Sequence, residues 1–132
     1  MFTKVFLSNC KVGKPLTGER ILDWELFNYE LPEELINIFH SIGNGLVLKN
    51  YFAIYPIEKI KMYELDKFEI FDGKVRLIKI AQLYNMPIVY MLNSAHARQI
   101  AFIIEDKIKY TNVSLEKIFK FIEDYYFKNE YY

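Results

Sequence analysis

The stretch from residue 30 to residue 45 reads ELPEELINIFHSIGNG and contains the start and stop signals of one helix. Pro32 suits the first helical turn, because its missing N–H is not needed there. The apolar residues recur at i, i+3, i+4 and i+7, which predicts one buried stripe made of Leu35, Ile38, Phe39 and Ile42. We therefore expect a helix over residues 32–42 that buries Phe39 and leaves His40 on its flank.

Glycine and asparagine residues end this helix and turn the chain toward strands. Gly43 and the pair Asn44-Gly45 provide the left-handed backbone of a helix end. Upstream, residues 2–7 predict a short edge strand, residues 9–16 predict a loop, and Thr17 caps a helix that continues into Tyr29. Downstream, residues 57–65 are open between a helical turn and a loop. The predicted strands, in chain order, are residues 51–56, 68–71, 74–80, 87–92, 98–104 and 108–110.

The clearest turn signal is Asp72-Gly73, which separates two of these apolar runs. The pair favours a type I′ turn, so we expect residues 68–71 and 74–80 to form an antiparallel hairpin. The last element is a helix that Ser114 caps, with an apolar stripe of Leu115, Ile118, Phe119, Ile122, Tyr125 and Tyr126. This order of elements predicts an α+β fold, a mostly antiparallel sheet flanked by N-terminal helices and a C-terminal helix.

Length, net charge, cysteine count and aromatic content indicate what class of protein this is. A chain of 132 residues predicts one domain, residues 1–132. Basic and acidic residues number 17 each, so the formal net charge is zero and we do not expect nucleic-acid binding. Because a neutral chain has little charge repulsion between copies, we expect a monomer or a weak homodimer. Cys10 has no disulfide partner and no apolar stretch approaches the roughly 20 residues of a membrane span, which favours the cytoplasm. Aromatic residues reach 17%, either because rings serve protein contacts or because the genome is AT-rich.

Candidate catalytic and metal-ligating residues are few and scattered. Cys10 has Lys11 beside it, whose charge favours the thiolate, but no histidine is placed to act as its base. His40 and His96 lack the spacing of a metal site. The paired carboxylates at Glu33-Glu34 and Glu105-Asp106 are explained by a helix start and a turn. We therefore expect no catalytic, metal-binding or cofactor-binding residue and no enzymatic activity.

The opening stretch resembles the motif of the SUKH superfamily, which includes a fungal cell-wall regulator and many bacterial toxin-immunity proteins. The residues that carry the resemblance are Leu31, Pro32, Phe39, Asn44 and Gly45. The strand at residues 51–56, the run at 77–81 and the closing helix extend it over residues 21–126. It implies a sheet flanked by helices, with those five residues as a structural motif. It also implies a protein that binds other proteins rather than one that performs chemistry.

Two functions from different classes follow. The resemblance implies an immunity protein that binds a cognate toxin domain and occludes its active site. The candidate contact patch is an acidic and aromatic cluster, to which a basic toxin cleft would be steered: Tyr63, Glu64, Asp66, Glu69 and Asp72. The alternative explanation for this cluster is a solvent-exposed hairpin that binds no partner. The alternative is a small-molecule-binding regulator or enzyme with a pocket between the sheet and the helices.

Overall fold

The computed structural model describes residues 2–66, 74–93 and 95–130, with only the backbone of Asp66 and Lys74. Within these residues the chain forms four α-helices, α1 (Lys4–Ser8), α2 (Gly18–Phe27), α3 (Glu33–Ser41) and α4 (Leu115–Tyr125). The strands there are β1 (Lys11–Val12), β2 (Leu46–Leu48), β3 (Phe52–Ile54), β4 (Met62–Asp66), β5 (Lys74–Leu83), β6 (Met86–Met91), β7 (Ile100–Ile104) and β8 (Lys107–Tyr110). A 3₁₀ turn spans Ile57–Lys59, and a π-helical turn, Tyr126–Glu130, follows α4.

The strands form one antiparallel sheet in the order β1-β2-β3-β5-β6-β7-β8. The long strand β5 organises it, because one edge of β5 pairs with two different strands. Its first half pairs with β4 and its last three residues pair with β3. The opposite edge pairs with β6, where the register shifts between Lys79 and Ala81. The α+β fold expected from the order of elements is confirmed.

The core lies between the helices and one face of the sheet. Each helix contributes fully buried side chains, among them Phe6 of α1, Phe39 of α3 and Phe119 of α4. Helix α3 buries Leu35, Ile38 and Phe39 as expected, whereas Ile42 is the C-cap that follows the helix and is only partly buried. The other face of the sheet carries a smaller apolar cluster made of Val75, Leu77, Val89, Met91 and Ala101. Within the described part of the chain, no helix is both long and apolar enough to cross a membrane.

The N-terminal segment is a helix, so the edge strand expected at residues 2–7 is wrong. The Thr3 hydroxyl caps α1 by accepting a hydrogen bond from the Phe6 N–H at 3.2 Å. Buried Glu123 of α4 accepts from the Thr3 N–H at 2.7 Å and from the Thr3 hydroxyl at 2.9 Å. A five-residue helix is unstable alone, so contacts with α4 decide its structure.

The strand that pairs with the first half of β5 also differs from expectation. Residues 62–66 occupy the place assigned to residues 68–71, with Asp66 opposite Lys74. The residues left open at 57–65 thus form the 3₁₀ turn and most of β4. Across this pairing, the Arg76 guanidinium lies 3.2 Å from the Glu64 carboxylate. Residues 68–71 and the Asp72-Gly73 turn lie outside the described residues.

Candidate functional site

Asn44 connects the end of α3 to the 3₁₀ turn. Its side-chain oxygen accepts a hydrogen bond from the Ile57 N–H at 2.8 Å, and its amide nitrogen donates to a Glu58 carboxylate oxygen at 2.9 Å. The bond from Asn44 is the main reason that the pKa of Glu58 is lowered. Both polar ends of Asn44 are therefore used within the fold.

The neighbouring glycines serve backbone geometry in two different ways. Gly45 has a φ of +86°, and a Cβ there would lie 2.8 Å from the Pro56 nitrogen. Only glycine meets both conditions without strain. Gly43, expected to be left-handed as well, has no positive φ; instead a Cβ there would overlap the carbonyl oxygen of Gly13. Close approach of two backbones, rather than a left-handed turn, therefore requires glycine at position 43.

The remaining motif residues also hold the fold. The Leu31 N–H donates to a Glu25 carboxylate oxygen at 2.9 Å, and the Leu31 side chain is buried. Pro32 is the N-cap of α3 and so lies just before the helical turn in which we expected it. Phe39 is in the core. Leu31, Phe39, Asn44 and Gly45 thus each have a defined role within the fold, and Pro32 marks the start of α3.

The predicted contact patch is divided between the two faces of β4. Tyr63 is 40% exposed and lies under the Lys79 ammonium, which is 4.6 Å from the ring centroid. Successive strand residues point to opposite faces, so Tyr63 and Glu64 do not share a surface. Asp66 ends β4, whereas Glu69 and Asp72 lie outside the described residues. The structure therefore does not bring Tyr63 and Glu64 together.

The isolated cysteine is held in its unreactive form. Burial and, to a smaller extent, the Glu123 carboxylate raise the pKa of the Cys10 thiol to about 11. Lys11, which we expected to favour the thiolate, is not among the groups that shift this pKa. Cys10 is partly buried, and its thiol donates to the Phe6 carbonyl oxygen at 3.4 Å. A nucleophilic role would require the opposite shift.

Both histidines have structural contacts. Nδ1 of His40 lies 2.9 Å from the Leu16 carbonyl oxygen, which links α3 to the start of α2. The His96 ring stacks on Tyr110 with a centroid distance of 3.6 Å, and its Nδ1 lies 3.1 Å from the Gln99 side-chain oxygen. Across the described residues, no three His, Cys, Asp or Glu side chains converge as a metal site would need.

The outer half of α2 is an apolar surface that the sequence reasoning missed. Leu22, Leu26 and Phe27 are 56%, 71% and 88% exposed, whereas Ile21 is the buried residue of this helix. Helical spacing places Glu19 and Asp23 beside them on the same outward half. We call these five residues the α2 face. The apolar residues of α2 have irregular spacing, and that irregularity was the available signal that they serve two surfaces.

Acidic residues are concentrated in and around α2. Residues 15–48 contain six carboxylates and one guanidinium, a net charge of −5, although the whole chain is neutral. The six acidic residues all lie in or beside α2 and the start of α3: Glu19, Asp23, Glu25, Glu30, Glu33 and Glu34. The net charge of each segment, counted separately, would have shown this acidic region from the sequence alone. The α2 face is therefore apolar at its centre and lies in an acidic region.

The comparisons with known proteins give no match, whether to a family model, a curated protein or a solved structure.

Proposed function

We propose that this chain is a protein-binding module of the immunity type, which binds a basic toxin domain through the α2 face and occludes its active site. The single observation that carries the proposal is the exposure of Leu22, Leu26 and Phe27 on one short helix. Large apolar side chains grouped on a surface commonly mark a site for another protein. The resemblance of the motif at residues 31–45 to the SUKH superfamily points to the same class.

Composition and charge supply the details of the contact. Phe27 is almost fully exposed, and aromatic side chains of this kind become the anchors of interfaces when a partner buries them. Glu19 and Asp23 would lie at the rim, where charge governs the rate of association more than the affinity. A partner with a basic cleft, such as a nuclease, complements a region of net charge −5. The protein acts by occupying the cleft, so it protects stoichiometrically and without turnover.

The test is co-expression with the toxin domain encoded beside this gene, followed by size-exclusion chromatography and titration. The single tryptophan, Trp24, is half-buried in α2, so its emission should change when a partner covers this helix. We expect a one-to-one complex. The double variant L26Q/F27Q should weaken it about 100-fold, because two anchors are removed. Phe121→Gln is the matched control, since Phe121 is 65% exposed on a different helix, α4.

Charge reversal distinguishes the α2 face from the patch on β4. E19K/D23K should slow association, with a larger effect at low salt than at high salt. E64K/D66K makes the same change on β4, the patch predicted from the sequence. Slower association only in E64K/D66K would move the contact to β4. No complex with the neighbouring toxin, substrate turnover by the purified protein, or equal weakening by Phe121→Gln would contradict the proposal.

A further inference from the structure

A cleft of about 370 Å³ lies where the starts of α3 and α4 meet the sheet. It is separate from the exposed apolar residues of the α2 face. Its size is at the lower end of the range for small-molecule sites, which suits a compact metabolite. Apolar residues from both helix starts and from β7 line part of it: Pro32, Ile100, Val113 and Leu115.

Tyr90 is the unusual residue of this cleft. Its side chain is only 7% exposed, but its hydroxyl oxygen is not enclosed and makes no hydrogen bond within the described residues, so it is open to the cleft. By contrast, the Tyr51 hydroxyl donates to the Ile122 carbonyl oxygen at 2.8 Å, and the Tyr55 hydroxyl donates to Gln82 at 2.8 Å. The ring of Tyr90 is therefore packed in the wall of the cleft, and its hydroxyl faces the open space, where a ligand can bind to it.

The cleft also carries charges of both signs. The Arg98 guanidinium makes one long contact, 3.7 Å to a Glu30 carboxylate oxygen, and is 77% exposed, so most of its donors remain available. Glu34 lies on the wall formed by α3. Burial and the Glu30 and Glu34 carboxylates raise the pKa of Tyr90, whereas Arg98 opposes them. All three charged groups therefore act on the space around this hydroxyl.

The start of α4 adds donors on the same side. Ser114 caps the helix by accepting a hydrogen bond from the Lys117 N–H at 3.3 Å. Helix geometry leaves the N–H groups of Leu115 and Glu116 without an intrahelical acceptor, and both Ser114 and Leu115 line the cleft. Such a helix start favours a negatively charged group. Together with Arg98, the start of α4 gives the cleft groups that attract an anion, and Glu34 gives it a carboxylate.

We infer that this cleft binds a small zwitterion with an apolar body, most simply a free aliphatic α-amino acid. The ligand carboxylate lies toward Arg98 and the start of α4, its ammonium group lies toward Glu34, and the Tyr90 hydroxyl bonds to one of them. Its aliphatic side chain packs on Ile100 and Leu115. A simple anion such as phosphate fits less well, because Glu30 and Glu34 would repel it.

Isothermal titration of the full chain with L-leucine tests this inference. 4-Methylpentanoate lacks the amine and 3-methylbutylamine lacks the carboxylate, and each should bind at least about tenfold more weakly than leucine. Tyr90→Phe keeps the ring and should weaken leucine binding about fivefold to tenfold. Tyr55→Phe is the matched control, because it removes a hydroxyl that lies outside the cleft.

Arg98→Gln should weaken leucine binding further, and Arg76→Gln, at another exposed arginine, should not. Tighter binding of the dipeptide Gly-Leu would support the same zwitterion chemistry with a longer ligand. The inference is overturned if leucine does not bind at millimolar concentration, or if its two analogues bind as well as leucine. It is equally overturned if Tyr90→Phe has no more effect than Tyr55→Phe.

Discussion

Replacement of Asn44 by alanine should destabilise the protein by about 2–3 kcal/mol. Most of this loss comes from the Ile57 N–H, which donates to Asn44 at 2.8 Å in a partly buried position. A buried donor left without an acceptor costs about 1–3 kcal/mol. The bond to the Glu58 carboxylate, 2.9 Å long, is exposed and adds about 0.5 kcal/mol after solvent screening.

Asn44→Asp separates these two contributions. The aspartate retains an acceptor for the Ile57 N–H but replaces the donor to Glu58 with a second carboxylate. We expect a loss of about 1 kcal/mol at pH 7 from repulsion across this exposed contact. Glu58→Gln should largely reverse it, because the glutamine amide can donate to the new carboxylate.

The pH dependence of stability should also change sign between the two proteins. In the wild type the pKa of Glu58 is lowered, so its contribution is present above the ordinary glutamate pKa and is lost as the pH falls through the folded-state pKa. In Asn44→Asp the two carboxylates raise each other's pKa values. That variant should therefore gain stability as the pH falls below about 5.

Urea unfolding, followed by Trp24 fluorescence and by far-UV circular dichroism between pH 3 and pH 7, measures all of these changes. The order of stability at pH 7 should be wild type, then Asn44→Asp, then Asn44→Ala. Equal losses in Asn44→Ala and Asn44→Asp would refute the importance of the Ile57 acceptor. Failure of Glu58→Gln to rescue Asn44→Asp would refute the repulsion between residues 44 and 58.

Two further measurements examine the core and the thiol. Phe39→Ala should cost about 3–5 kcal/mol, because Phe39 is fully buried, and His40→Ala about 1 kcal/mol or less; comparable losses in urea unfolding would contradict the assignment of the helix face. With the pKa of Cys10 raised to about 11 from the ordinary 9.0, the thiolate fraction at pH 8 is about 100-fold smaller in the folded chain, and the greater nucleophilicity of that thiolate offsets about tenfold of this loss, so reaction with a disulfide reagent should be about tenfold slower than in the urea-unfolded chain. Equal rates in the folded and unfolded chain would show that the thiol is not held protonated.

Local signals predicted the elements that depend on local interactions. Thr17 and Ser114 each cap the helix that follows them, as expected, by accepting hydrogen bonds from Arg20 and Lys117. The buried stripe of α3 is likewise a property of one helix. Each of these predictions needed only neighbours within a few turns of chain, which is the range over which sequence patterns are informative.

Elements decided by distant partners were not predictable in this way. The structure of α1 depends on Glu123, which is 120 residues away from Thr3. The pairing of β4 with β5 was missed because the turn signal at Asp72-Gly73 assigned residues 68–71 as the partner strand, while residues 57–65 were left open between a helical turn and a loop. The division of Tyr63 from Glu64 follows from the same pairing, since a strand places neighbours on opposite faces.

The α2 face was not predicted, because the net charge and apolar content of the whole chain do not show how charged and apolar residues are distributed among its elements. A net charge of zero argues against nucleic-acid binding, but it does not show where the acidic residues lie, and residues 15–48 carry −5. Similarly, 52% apolar residues indicate a filled core but do not tell which of them remain outside it. In α2, the apolar residues Leu22, Leu26 and Phe27 are among those that remain outside the core. Charge and hydropathy per element are therefore more informative than totals for a chain of this kind.

One ion pair connects the cleft to the acidic region around α2, and this determines which variants can separate the cleft from the α2 face. Glu30 follows α2 and pairs with Arg98 of the cleft at 3.7 Å. Arg98→Gln therefore removes a ligand-binding group and also frees a carboxylate beside α2, so it should alter leucine binding and toxin association together. Tyr90→Phe changes no charge and should alter leucine binding alone. Loss of toxin binding in Tyr90→Phe would thus mean that the two surfaces form one site.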